Sequence, residues 1–446
     1  MSSILIKNGH AVLADKTVKA DVLIKDGYIQ SVGAPSTVGG DLQTAPQNTD
    51  TLRVIDAKGK HVLAGFVDLH CHLRDPGFIY KEDLESGAKA AAAGGFTTVC
   101  CMPNTNPVLD NAPLIEYVKA RAQEIGYAKV LPIGAITKGQ NGVELAELAS
   151  MAQAGAVAFS DDGKAVESGS LMKLALEYAD TFGLLLIAHC EDKSIAGDGV
   201  ANEGYHATVA GLKGISRAAE ESCLARDIVL AETTGARIHI AHVSTRGGVE
   251  LVRQAKKRGV KVTSETCPHY FAATDKEILT YNTNAKINPP LREDADVAAI
   301  IEGLKDGTID AIATDHAPHH ADEKNLEFDY APFGTSGFET AFAVSYTYLV
   351  KAGHITLEKL SQLLSANPQR ILGGNAGVGR VLASAVENAG AIKIGSPADL
   401  TIVDLKKTYA ADAQKFVSKG KNCLFDGWKL SGVITNIIIG GRIIDA

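Results

Sequence analysis

The sequence predicts an α/β fold: a parallel (β/α)8 barrel carrying a small β-sandwich assembled from both chain ends. Three observations predict it. Between about His61 and Arg380, short apolar runs alternate with segments whose apolar residues recur at helical spacing. Both ends of the chain instead read as hairpins. Finally, residues able to bind a metal follow several of the central runs, and barrels of this kind gather their catalytic groups at the C-terminal ends of their strands.

Taken in order, residues 3 to 33 carry apolar runs broken by Asn-Gly and Asp-Gly (ILIKNGHAVL, ADVLIKDGYIQSVG), the turn chemistry of tight hairpins. The tract Ala34 to Thr51, rich in Ser, Thr, Gly, Pro and Asn, predicts a surface loop before the strand LRVIDAKG. Eight candidate barrel strands follow at 62–70, 97–102, 129–135, 156–160, 184–189, 236–243, 261–266 and 309–315. Helical patterns fall between them, at 82–93, 142–153, 170–180, 217–234 and 246–258 among others. Near the end, ADLTIVDL and SGVITNIIIGGRIID return to strand character. The expected division is a composite β-sandwich of 1–61 and 381–446 around a catalytic barrel of 62–380.

Composition narrows the function classes. Among 446 residues, 46% are hydrophobic and 22% charged, which is ordinary for a globular chain and excludes disordered and fibrous classes. A net charge of −8 disfavours a nucleic-acid partner or an acidic membrane surface, so an anionic substrate needs local cations. The seven cysteines are scattered without a C-x-x-C pair, which favours a reducing compartment. The start, MSSILIKNGHAVLADK, has no signal-peptide pattern, and no apolar run approaches the ~18 residues of a membrane span. A cytoplasmic enzyme is the expectation.

The densest chemistry lies in GFVDLHCHLRDPG, where His70 and His72 stand two apart and therefore share one face of an extended strand. His189, His242 and Asp315 each follow a further apolar run, and FSDDG adds Asp161 and Asp162. Imidazole and carboxylate donors suit zinc, and two ions sharing one aspartate would use six residues. A metal makes water acidic enough to deprotonate near neutral pH and polarises a carbonyl, the two needs of amide hydrolysis. Cys71 and Cys190 adjoin presumed ligands, but neighbouring strand residues face opposite ways, so both are expected to pack.

GFVDLHCHLRDPG, GGFTTVCCMPNTNPV, FSDDG, IAHCED, IAHVST, ETCPHY, KINPPLR and ATDHAPH together resemble the dihydroorotases of the amidohydrolase superfamily, the longer type related to hydantoinases and allantoinases. The resemblance runs in order from about Ile4 to Asp404 and beyond. It implies a TIM-like barrel with one or two zinc ions and a composite β-sandwich. By motif it places His70, His72 and Asp315 on the more buried ion and His189 and His242 on the second. Many relatives join the ions through a carboxylated lysine; this chain has SDDG there, which matches an Asp-bridged subset. Spacing from His72 and His189 agrees with those enzymes for Asp162, which leaves Asp161 in a supporting or loop-capping role.

For substrate, Arg74 follows the ligand pair, and a guanidinium binds carboxylate in a bidentate fork. Asn104 and Asn288 offer amide hydrogen bonds, and His319 lies four residues after Asp315. The resemblance implies that these four bind substrate, with the backbone of Phe333 and Gly334 completing the pocket. It also implies the reaction, reversible closure of N-carbamoyl-L-aspartate to L-dihydroorotate and water in pyrimidine biosynthesis. Hydroxide formed at the metal attacks, and Asp315 serves as general base and then general acid. Two alternatives are a different cyclic amidase, such as a dihydropyrimidinase or allantoinase, and an inactive scaffold subunit for aspartate transcarbamoylase. A homodimer and a complex with that transcarbamoylase are both open as assemblies. His316 and His320 are expected in loop structure and His239 in strand packing, and 318–324 as either a mobile lid or a solvated loop.

Overall fold

A computed structural model describes residues 3–34, 52–373 and 390–445. The loop expected over Ala34–Thr51, apart from Ala34, and the expected junction at 380 and 381 lie outside the described residues. The N-terminal strands are β1 (Ser3–Val12), β2 (Thr17–Lys25), β3 (Tyr28–Gly33), β4 (Leu52–Asp56) and β5 (His61–Ala64). At the other end lie β16 (Leu400–Ala410), β17 (Lys429–Ile439) and β18 (Arg442–Ile444). They form one sheet in the order β18-β17-β16-β5-β1-β2-β3, with β4 on β1, so the two ends of the chain meet where β16 pairs antiparallel with β5. The β2–β3 hairpin turns on Asp26 and Gly27, whose φ of 52° and 85° are what a tight right-twisting hairpin needs. Ile4, Ile6, Val22, Ile24, Leu400, Ile402 and Ile438 bury themselves as this unit's own core.

The barrel strands are β6 (Phe66–Cys71), β7 (Phe96–Cys101), β8 (Lys129–Pro132), β9 (Phe159–Ser160), β10 (Leu186–Ala188), β13 (Ile238–Ile240), β14 (Val262–Thr266) and β15 (Ala311–Ile312); β11 (Ala201–Asn202) and β12 (Gly214–Ile215) form a separate two-stranded ribbon. Every barrel pairing is parallel. Two single bridges close the ring, Gly134 with Phe159 and Cys71 with His316, also parallel. All eight strands thus follow in chain order, the topology of a (β/α)8 barrel. Alternation along the strands sorts the side chains: Leu186 and Ala188 pack outward against the helices, while Ile187 joins Val67, Leu69, Cys100 and Leu185 inside.

The helices between strands begin where the sequence supplies caps. Asp83 accepts from Ser86 N before Leu84–Ala93, Ser168 caps Gly169–Phe182, and Thr245 caps Arg246–Lys257. Two expectations need correction. The helix expected at 142–153 begins only at Leu148, after an irregular stretch that includes a short turn at Lys138–Gln140. The strand expected at 62–70 is two strands in different sheets, parted at Gly65, where a Cβ would sit 2.3 Å from the Thr97 side chain. The chain therefore crosses from one unit to the other at a residue only glycine can fill.

Candidate metal centre

The site assembles at the C-terminal ends of the barrel strands. His70 lies on β6 and His72 just past it; Asp162, His189, His242 and Asp315 follow β9, β10, β13 and β15. Asp162 occupies the middle. Its Oδ1 stands 3.3 Å from His70 Nε2 and 3.4 Å from both His189 Nδ1 and His242 Nε2, and its Oδ2 stands 3.4 Å from His72 Nε2. Asp315 Oδ1 lies 3.1 Å from His72 Nε2 and 3.5 Å from His70 Nε2. Two overlapping triads result, His70–His72–Asp162 and Asp162–His189–His242, each with donor atoms within 4.8 Å of one another. All are buried, and His70 Nε2, Asp162 Oδ1 and His189 Nε2 lack hydrogen-bond partners. Buried polar atoms without partners are costly unless something satisfies them, and a divalent metal in each triad would do so for the His70 and Asp162 atoms.

Electrostatics agree with a site built for cations. Burial opposes ionisation of Asp162, but the charges and hydrogen bonds of the surrounding imidazoles outweigh it and hold the carboxyl well below its usual range. Burial likewise opposes ionisation of Asp315, while His70 and His72 pull its pKa down to about 2. Asp161 faces elsewhere: Oδ1 accepts from the backbone N–H of Ile136 and Thr137 at 2.9 and 3.1 Å, and Oδ2 from Thr137 Oγ1. Of the two aspartates, only Asp162 reaches the histidines.

A cavity of about 180 Å³ opens over these groups, walled by His72, Asp162, His189, His242 and Asp315 on one side. Arg74, Asn104, Asn288, His319, Phe333 and Gly334 line it too, so every expected substrate residue reaches the same space; His70 lies beneath the wall. Arg74 donates from Nε to Pro318 O at 3.2 Å, and its NH2 lies 3.3 Å from His319 Nε2. Burial brings the Arg74 pKa down to about 10, against the pull of Asp315 and Asp162. Asn104 Oδ1 sits 2.9 Å from His72 Nδ1, so it also turns that ring toward Asp162. Asn288 donates to Glu191 Oε1 at 3.0 Å and keeps its Oδ1 without a partner. Arg74, His242 and Asp315 all have positive φ (62°, 33° and 45°), an uncommon backbone state for such residues and one that concentrates at functional sites.

Several residues enter that sequence reasoning did not single out. Gly163 and Ala317 complete the cavity wall. Glu265, inside β14, sits 3.0 Å from His70 Nδ1; a carboxylate within a barrel strand was the available signal. His239 packs in its strand as expected, and its Nε2 also lies 3.2 Å from the other Glu265 oxygen. Cys71 packs outward with its Sγ donating to Cys100 O. His316 is buried in its loop, accepting from Gly337 N at 3.1 Å. The stretch 318–324 is neither open loop nor unanchored: His320 caps a single turn at Ala321–Lys324, and Tyr80 and Lys81 hold Glu323 at 3.1 and 2.9 Å.

Among the described residues no helix is long and apolar enough to cross a membrane. A model of the family described as Dihydro-orotase-like matches residues 59–248. A dihydroorotase of Acetivibrio thermocellus is 53% identical over 442 residues, covering 99% of this chain and 98% of its own, and one of Ruminiclostridium cellulolyticum is 52% identical over 441 residues, covering 98% and 97%. Among solved structures, the L-hydantoinase (dihydropyrimidinase) of Arthrobacter aurescens superposes with a TM-score of 0.85 at 26% identity, covering 100% of this chain and 96% of its own. The D-hydantoinase of a Thermus species gives 0.80 at 25%, covering 99% and 94%. With half of its residues shared along nearly the whole length of those relatives, this chain belongs to the dihydroorotase family.

Proposed function

We propose that this chain catalyses the reversible closure of N-carbamoyl-L-aspartate to L-dihydroorotate and water, with one or two zinc ions held by His70, His72, Asp162, His189, His242 and Asp315. Zinc in such a donor set supplies Lewis acidity, which polarises an amide carbonyl and makes water acidic near neutral pH. The remaining work falls to side chains. In ring opening, Asp315 takes the proton of the attacking water and delivers it to the ring nitrogen as the C–N bond breaks. In ring closure the transfers reverse. Supporting this role, Asp315 borders the cavity and stands 3.1 Å from His72 Nε2 and 3.5 Å from His70 Nε2.

The observation that carries the substrate assignment is Arg74 in the cavity wall, beside His319 and across from Asn288. Both partners of the proposed reaction bear a carboxylate for the guanidinium, and the unpartnered Asn288 Oδ1 can accept from a substrate N–H. Hydantoin and dihydrouracil lack the carboxylate. In this reading the catalytic unit is the barrel of 62–380, and the composite unit of 1–61 and 381–446 braces it. Seven unpaired, buried cysteines suit a reducing, cytoplasmic setting. This reading leaves room for a homodimer or a complex with aspartate transcarbamoylase.

The test is turnover of L-dihydroorotate beside hydantoin, dihydrouracil and allantoin, with wild type and Arg74→Ala, both loaded with zinc. Turnover of dihydroorotate alone, lost in the variant, is expected. Turnover of the uncharged rings would make the chain a general cyclic amidase, and none at all would favour a scaffold subunit.

A further inference from the structure

Residues 411–428 leave the terminal sheet between β16 and β17 and run under the mouth of the barrel. There Asn422, 4% exposed, reaches both pieces of backbone that carry the substrate wall. Its Oδ1 accepts from His319 N at 2.9 Å, while its Nδ2 donates to Ala317 O and to Gly334 O, each at 3.1 Å. Its own carbonyl accepts from Ser336 N at 2.8 Å and from Thr335 Oγ1 at 3.1 Å. Two neighbours tighten the fit. Ser336 Oγ donates to Gly420 O at 2.9 Å, and Gly420 passes so close to Pro318 that a Cβ would stand 2.4 Å from the proline Cβ.

Between β15 and the helix Phe338–Ser345 the described residues form no strand, only the helical turn Ala321–Lys324 and single bridges from His316 to Cys71 and to Thr335 of the same stretch. Regular structure therefore does not set where His319 and Phe333–Gly334 stand. We propose that Asn422 is a positioning residue for substrate binding, fixing the His319 side of the pocket to the Gly334 side through one amide. The amide has both capacities used: two donor contacts, and an oxygen that accepts from His319 N and from Ser336 Oγ at 3.1 Å. Aspartate would keep the contact to His319 N but place a carboxylate against two carbonyl oxygens; alanine would remove the amide's contacts and leave the two pieces linked through His319 Nε2 at Phe333 O and Ala317 N at Thr335 O, each 2.9 Å. The C-terminal segment thereby becomes part of the substrate site without touching substrate.

This inference rests on the proposed function, so both are read in one experiment. Wild type, Asn422→Asp and Asn422→Ala are compared for KM and kcat on L-dihydroorotate, zinc content and thermal unfolding. KM is expected to rise about tenfold or more in both variants, with kcat within about threefold and zinc content unchanged, since binding is loosened equally in the ground and transition states. Folded, zinc-loaded variants with KM within about twofold of wild type would overturn it. So would loss of zinc in parallel with activity. If neither variant folds, Gly420→Ala, whose Cβ would stand 2.4 Å from Pro318 Cβ and 2.8 Å from Asn422 Oδ1 and so displaces the same amide, decides by the same KM criterion. A wild type inactive on dihydroorotate sinks the proposed function alone; hydrogen exchange at the His319 amide, faster in Asn422→Ala if Asn422 positions His319 and unchanged if it does not, then decides the inference.

Discussion

Glu265 holds His70 from behind: its Oε1 lies 3.0 Å from His70 Nδ1, and its Oε2 lies 3.2 Å from His239 Nε2, with all three side chains fully buried. Burial disfavours the carboxylate, yet hydrogen bonds from His239 and His70 pull its pKa down to about 2. An ionised Glu265 keeps a proton of His70 on Nδ1 and turns Nε2 toward Asp162, as the nitrogen that would bind a metal. Carboxylates placed this way orient metal-binding imidazoles and raise their basicity.

Glu265→Gln is therefore expected to weaken metal binding by about 10- to 100-fold without unfolding the barrel. Competition between the apoprotein and a chromophoric chelator measures it directly. Metal affinity equal to wild type would remove Glu265 from the account.

The two aspartates of the FSDDG segment should separate cleanly. Asp162→Ala removes the group shared by both triads and should abolish retention of metal through dialysis. Asp161→Ala removes an acceptor of two backbone N–H groups and the Thr137 hydroxyl, so it should leave metal in place and cost about 1–3 kcal/mol in stability. Metal analysis paired with urea unfolding distinguishes them, and a reversed pattern would reassign the bridge.

How much of this was readable in advance depends on how local each signal was. His70 and His72 declare a shared face by spacing alone, and strand-end placement picked out His189, His242 and Asp315. The choice of Asp162 over Asp161 was less local: two adjacent acids differ only in which way a short strand, Phe159–Ser160, releases them. Gly65 was invisible because the apolar pattern runs straight through it, although the backbone changes sheet there. Asn422 had no signal, since its partners Ala317, His319 and Gly334 lie about a hundred residues away and are reached through backbone atoms. Backbone acceptors carry no side-chain identity, so a sequence does not advertise them.

Arg292, in the KINPPLR motif, turns out to face the core rather than the cavity. Its guanidinium meets Glu220 at 3.3 Å, Ser244 Oγ at 3.0 Å and Asn202 Oδ1 at 2.9 Å, and Glu220 in turn accepts from Ser244 N at 2.9 Å. Removing one partner of such a buried pair strands the other charge. Arg292→Met is expected to lose about 3–5 kcal/mol, read from denaturant midpoints, with little change in KM for the protein that remains folded. A loss under about 1 kcal/mol would mean that Glu220 finds water or another donor.

Lys324 supplies a pH signature. Its Nζ donates to Pro332 O and Gly334 O at 2.9 and 3.0 Å, with no carboxylate in reach among its hydrogen bonds, and Lys286 donates nearby to Phe328 O and Asp329 O. Burial first, then the Lys286 charge, lowers the Lys324 pKa from 10.5 to about 7. Between about pH 7 and 10.5 the unfolded chain keeps a proton that the folded chain has released. The unfolded state then binds more protons, so this group makes stability rise with pH across that window, by at most about 1.4 kcal/mol per pH unit. Below it, both states are protonated and the burial penalty is constant. Lys324→Met lacks the titration, so the stability difference, wild type minus variant, should climb from pH 7 to 10 and stay flat between pH 5 and 6.5. A difference independent of pH throughout would show that the folded protein keeps Lys324 charged, its two carbonyl contacts outweighing burial.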